Sequence, residues 1–407
     1  MKRFIGGQRR VVELAIADLT SPLEAGALRP EKPRSDNRIV ILDSLRGAVA
    51  LIIVAHHIWT IFNAEINERL SAPIVSVYDL VQAQNHRAVM AFFILSGFTI
   101  ALTTQGRVPV NWAAARDYLG RRFRRIVPLF YFSLIWTAAL GAIFGAGGQN
   151  FALRTLAGNL LFLQTSSAAR GTWFVPYGGN GPYWSLSYEM VYYLALPLAL
   201  TAAGGAMTEA GIAPIRMRLR LIALGLAAML VGLAMLSYAP NPLALFAAAW
   251  IVWIAGFCAY GLERKPVSLL ILALPALGAW TLVALLSVAG RRSDTLAGTS
   301  EGTLLALGFG VLATWQGWTA PKFITVLGCG FNGAFARVGR GSYALYLLHY
   351  PFLLAMHRLL IEGQAGLFGW AAAAVFFLGF VIEFCPLVER ASTGIFRRRL
   401  KSDGRRA

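Results

Sequence analysis

The stretch LDSLRGAVALIIVAHHIW, Leu42 to Trp59, is an apolar run with an arginine near one end and a histidine pair near the other. Arg46 and His57 are eleven residues apart. On a helix that is about three turns, so the two share one face roughly 16 Å apart. Ionisable groups inside an apolar span are costly in lipid, so they normally face a protein interior or a wet cavity. The stretch therefore reads as a membrane helix with a functional face.

The composition agrees. The 407 residues are 57% hydrophobic and 14% charged, with mean hydropathy +0.59, well outside the range of soluble domains. This predicts an all-α integral membrane protein with too little polar sequence for a large soluble domain. The net charge of +18 does not point to nucleic acid, because the basic residues lie in short segments between apolar runs. The three cysteines, Cys258, Cys329 and Cys385, have no metal-ligand spacing and read as core-filling or free thiols. No metal is expected.

Apolar runs near 20 residues mark spanning helices. Ten are predicted, at about 39–62, 86–104, 124–145, 183–203, 219–238, 243–261, 267–289, 302–318, 342–361 and 366–388. With the N-terminus inside, 29 of the 37 Lys and Arg fall in inside segments and five in outside ones. The other three are Arg46, Arg87 and Arg358. That asymmetry supports ten spans with both termini cytoplasmic. Residues 1–38 read as a basic cytoplasmic tail, 39–388 as the membrane domain and 389–407 as a second basic cytoplasmic tail. The apolar piece 151–165 is too short to span and reads as interfacial or re-entrant. The outside segment 146–182 and the start of the following helix hold Trp173, Phe174, Tyr177, Tyr183 and Trp184. These could form an aromatic shelf for a sugar or a lipid headgroup, or an ordinary interfacial belt.

Few residues in the spans can do chemistry. His57 could act as a general base on a hydroxyl or carry an acyl group as a nucleophile. His56, turned about 100° away, reads as packing. Arg121, Arg122, Arg124 and Arg125 sit where the third span begins, a place that suits a phosphate-rich ligand or simply a positive-inside signal. Arg122 and Arg125 share a face. Glu189, in YWSLSYEMVYYL, is expected at about the depth of His57, as its acid–base partner. On the ninth span Ser342, Tyr346, His349 and Leu353 form one stripe. His349 is expected level with Arg46, the two lining the inner part of one cavity, or else hydrogen-bonded between helices with Tyr346. Ser96 and Gly97 read as a small-residue packing spot.

Taken in order, these blocks resemble the bacterial membrane acyltransferase-3 family of O-acyltransferases that modify cell-surface carbohydrates. LDSLRGAVALIIVAHH carries that family's arginine, ten residues, then histidine, which selects Arg46 and His57. FFILSGF (Phe92 to Phe98), RRFRRIVPLFY (Arg121 to Tyr131), YWSLSYEMVYYL (Tyr183 to Leu194) and GSYALYLLHYPFL (Gly341 to Leu353) are similar to its later blocks. The sequence departs from it at Tyr188-Glu189-Met190, which holds one acid where the family more often has two.

The resemblance implies a ten-helix bundle in a bacterial inner membrane. Its donor would be cytoplasmic acyl-CoA, most often acetyl-CoA, with no tightly bound cofactor. Its acceptor would be a hydroxyl on a carbohydrate or lipid-linked glycan at the outer face. His57, Glu189 and Arg46 would be catalytic. Arg121, Arg122, Arg125, Tyr346 and His349 would serve the donor, and Trp173, Tyr183 and Trp184 the acceptor. The alternative from a different class is a glycan or lipid transporter. It predicts inverted repeats and broken helices, and the two halves contain no corresponding pair of segments.

Overall fold

The computed structural model describes residues 40–104, 109, 111–145, 149–169, 171–204, 214–260, 269–288, 294–316, 333–392 and 394. Among them the chain is predominantly helical, with a single isolated bridge, Gln164 to Phe174, in place of any strand. The tails at 1–38 and 395–407 lie outside the described residues, as does Cys329.

The main helices are α1 (Val40–Arg69), α2 (Ala72–Gln82), α3 (Asn85–Thr104), α4 (Trp112–Ile143), α5 (Leu153–Leu160), α6 (Trp184–Ala202), α7 (Ile215–Tyr238) and α8 (Pro242–Ala259). They continue as α9 (Leu269–Val288), α10 (Asp294–Gln316), α11 (Ser342–Glu362) and α12 (Leu367–Gly379). A short helix at 333–340 precedes α11, and α12 runs through a π-helical turn, Phe380–Phe384, into a helical end at 385–392. Each of the ten apolar stretches lies on a helix. Among the described residues, seven helical segments are long and apolar enough to cross a membrane: Leu42–Arg69, Ala72–Thr104, Trp112–Ile143, Ile215–Tyr238, Pro242–Ala259, Ser342–Glu362 and Leu367–Ser392. The protein is a multi-pass membrane protein. α6 is not among the seven because Ser185, Ser187, Glu189 and three tyrosines along it lower its hydropathy.

Three boundaries differ from the sequence expectation. α1 does not end near residue 62; it bends at Phe62 (φ −114°, ψ 17°) and continues to Arg69. The segment after it contains a further helix, α2, with no buried residue. α4 begins at Trp112, capped by Asn111, whose side chain accepts from the Ala114 amide at 2.8 Å. Arg121 to Arg125 therefore lie inside the helix and not at its edge.

Burial is concentrated in α8, where 83% of the membrane window is enclosed. α8 packs on α3, α7 and α10 and touches α6. With no hydrophobic drive between helices in lipid, close approach depends on small residues. Gly97 of α3 lies against the Trp253 carbonyl, and Gly256 of α8 lies against the Ile94 carbonyl. A side chain at either position would collide with backbone, so the two glycines set the α3–α8 distance. That part of the packing reading of Ser96-Gly97 holds. α11 packs on both α1 and α4, which puts the histidine face of α1 and the arginine face of α4 against one helix.

The start of α11 is held from a distance. Its Gly341 cap has no side chain, and the Glu389 Oε2 accepts the backbone N–H groups of Tyr343 and Ala344 at 3.2 Å each. An anionic oxygen there satisfies two of the otherwise unpaired amides of a helix start. Further along, Pro351 lacks the N–H that would bond the Leu347 carbonyl. Asn180 supplies the missing donor, its Nδ2 lying 3.0 Å from that oxygen. This pins the loop before α6 to the middle of α11.

Candidate active site

The basic half of the site is built on hydroxyls of α3. The Thr99 hydroxyl donates to the Leu95 carbonyl at 2.6 Å and that of Thr103 to the Thr99 carbonyl at 2.8 Å. With their protons committed, both oxygens present only lone pairs outward. Arg46 donates to Thr99 at 2.6 Å, and Arg122 donates to Thr103 at 2.9 Å. Arg46 also has Asp43 at 3.9 Å. Arg122 is buried, and its Nε has no partner. Arg125, three residues on and on the same face, makes no hydrogen bond or ion pair among the described residues, and its side chain is open.

These three arginines face one cavity, about 90 Å³ in volume. Its opposite wall carries Ser96, Glu189 and Tyr193. Ser96 donates to Glu189 Oε1 at 2.7 Å and accepts from the Trp253 indole N–H at 3.2 Å. Tyr193 also donates to Glu189 Oε1. One carboxylate oxygen is thus taken up by two hydroxyls, while the other accepts no hydrogen bond among the described residues. The cavity is a set of fixed cations facing one carboxylate that is already hydrogen-bonded, inside an apolar bundle.

The histidine pair lies beyond this cavity, and neither ring lines it. His57 Nδ1 is 3.1 Å from His349 Nε2, and His349 Nδ1 is 2.7 Å from the Leu345 carbonyl. Tyr350 meets the His57 ring edge-on, with centroids 5.1 Å apart. His349 is fully buried and His57 half-buried. His56 turns aside to Gln82, at 3.1 Å. Tyr346 links the two regions. It lines the cavity, and its ring lies 6.4 Å from that of His349. Its hydroxyl donates to the Pro182 carbonyl at 2.8 Å and pairs with Ser185 at 2.6 Å.

Two expected pairings are corrected by these contacts. His349 sits beside His57 and not level with Arg46. Glu189 is not at the depth of His57. Ser185 meets Tyr346, and Glu189 is one turn further along α6, about 6 Å from that contact, at the level of Ser96. The expectation measured depth from an α1 end near residue 62, and α1 continues to Arg69. The C-terminal end of α1 and the N-terminal end of α6 are therefore not at one level.

The remaining expected residues divide. Arg121 is exposed and does not line the cavity. The aromatic shelf does not form. Tyr183 is fully buried, its hydroxyl engaged by Thr137 at 2.9 Å and Ser133 at 3.0 Å. Trp184 is half-buried and meets Tyr188 edge-on at 5.3 Å. Only Trp173, at 44% exposure, is open. Sequence reasoning missed Thr99, Thr103 and Tyr193, and it read Ser96 as packing. The signal was present: Ser96, Thr99 and Thr103 are spaced three and four, one polar stripe on an apolar helix.

No curated protein and no solved structure matches the chain. A family model described as an acyltransferase domain matches residues 39–387, which takes in α1 to α12. The chain belongs to the acyltransferase-3 family.

Proposed function

We propose that the protein transfers an acyl group, in the first instance acetyl, from cytoplasmic acyl-CoA to a hydroxyl of an exported or lipid-linked surface glycan. In this reading it is a bacterial inner-membrane enzyme, with α6, α9 and α10 completing ten crossings and both termini cytoplasmic. The observation that carries it is the cavity in which Arg46, Arg122 and Arg125 converge, one turn of α11 from the His57–His349 pair. A buried cation with incomplete hydrogen bonding, as at Arg122, is costly unless an anion completes it. The phosphates of CoA are such anions, and a guanidinium binds phosphate with paired, charge-assisted bonds.

The chemistry follows from that placement. CoA phosphates bound at the arginines leave the pantetheine arm to run past Ser96 and Tyr346 towards His57. An imidazole that is neutral near pH 7 can accept the acceptor hydroxyl's proton as its oxygen attacks the thioester carbonyl. The C–S bond breaks, and the thiolate takes up the proton. Glu189, bonded to Ser96 and Tyr193, shapes the donor channel and does not meet the imidazole. Trp173 is the one member of the expected acceptor set with an open face.

Membranes containing the protein, incubated with labelled acetyl-CoA and an acceptor glycan preparation, should place label on the glycan. A His57→Ala protein that folds and labels at the wild-type rate would sink the proposal.

A further inference from the structure

The hydrogen bonds around the two histidines decide where their protons are. A carbonyl oxygen can only accept, so His349 Nδ1, 2.7 Å from the Leu345 oxygen, carries a hydrogen. A neutral imidazole has one N–H, so His349 Nε2 is then an acceptor. It lies 3.1 Å from His57 Nδ1, which must therefore donate. The only proton of a neutral His57 is thereby placed on Nδ1, and its Nε2 is a bare lone pair.

The arrangement also fixes the rings. His349 is fully enclosed and tethered to the carbonyl one turn back on its own helix. Tyr350, the next residue, lies edge-on to His57 at an interplanar angle of 87°. His56 is engaged by Gln82 and does not compete for His349. A buried turn of α11 thus supplies a side-chain acceptor for His57 and a wall for its ring, beside a hydrogen bond from His57 to the Ile53 backbone one turn back on its own helix.

We infer that His349 is a positioning residue that holds His57 in the Nδ1–H tautomer, so that His57 Nε2 is the nitrogen that takes the acceptor's proton. The catalytic half of this rests on the acyl-transfer reading above. In the step itself, the acceptor O–H proton passes to His57 Nε2 while the oxygen–acyl bond forms and the thioester C–S bond breaks. The departing thiolate then recovers that proton. Between the two transfers His57 is an imidazolium whose Nδ1–H stays bonded to neutral His349.

The test uses the full protein in lipid nanodiscs with 15N-labelled histidine, the His57 signals being assigned by their loss in His57→Ala. Wild type should show His57 protonated on Nδ1 and bare on Nε2. His349→Phe, which keeps a ring but offers no acceptor, should release His57 into a mixture of tautomers. It should also lower kcat by roughly 100-fold while KM for donor and acceptor stays within about threefold. His349→Gln, whose amide oxygen can accept from Nδ1–H, should restore the tautomer and recover at least about a tenth of kcat. A wild-type His57 protonated on Nε2 would overturn the inference, whether or not His349→Phe accumulates. So would an unchanged tautomer in His349→Phe. The expected tautomers without any acyl transfer would support the positioning geometry and overturn the acyl-transfer reading alone.

Discussion

His57 and His349 are 292 residues apart in the chain, and their ring nitrogens meet at 3.1 Å. The contact joins α1 to α11 beyond a cavity whose other end is lined by arginines. A helix that begins under a Glu389 cap and is held midway by Asn180 thus presents its cavity side chains and its histidine in one rigid register.

The two adjacent histidines of α1 should behave differently. His57→Ala is expected to lower acyl transfer by about 10²–10⁴-fold, the range for loss of a general base. His56→Ala removes the contact with Gln82 and the edge-on packing of its ring on His57, with centroids 5.2 Å apart, and should stay within a few-fold of wild type. Equal losses in initial-rate assays of both purified variants would contradict the assignment.

Arg125 tests the donor site. Arg125 makes no hydrogen bond among the described residues, but its charge acts on the buried Glu389 carboxylate that caps α11, so Arg125→Ala should lower the melting temperature in detergent only slightly. KM for acyl-CoA should rise by about 10- to 100-fold, the value of one or two bonds to a charged group. Arg125→Lys should fall between, because an ammonium cannot form the paired bonds of a guanidinium. An unchanged KM would place the CoA phosphates elsewhere.

Ser96→Ala takes a donor from Glu189 and an acceptor from Trp253. Leaving such groups short of partners in an apolar bundle costs about 1–3 kcal/mol. A melting temperature in detergent equal to that of wild type would show that Ser96 only fills space.

Gly97→Val should be among the most damaging changes outside the site. Its side chain meets the Trp253 carbonyl, and backbone cannot yield as a rotamer can. We expect little monodisperse protein on fluorescence-detected gel filtration, and the same for Gly256→Val. Normal yields of both would mean that α3 and α8 are not held together through these glycines.

Much was legible in the residues themselves. Hydropathy located the helices able to cross a membrane, seven of them among the described residues, because burial of apolar surface in lipid is a property of the local run. Helical spacing placed Arg46 and His57 on one face, and separated His57 from His56. The same rule, applied to Ser96, Thr99 and Thr103, would have exposed the stripe that receives the arginines.

What spacing along one helix cannot supply is the height at which its neighbour stands. That depends on where each helix ends and which glycines let it approach, and both are set by the whole bundle. The extension of α1 to Arg69 moved His57 away from the level of Glu189. Burial of Tyr183 under Ser133 and Thr137 took it off the surface. By itself the sequence determined the membrane helices and the faces on which Arg46, Arg122, Arg125, His57 and His349 lie. Only the tertiary structure decided that His349 partners His57, and that Glu189 partners Ser96. The physical reason is that hydrogen bonds reach about 3 Å, whereas shifting a helix by one turn moves a side chain by about 5.4 Å.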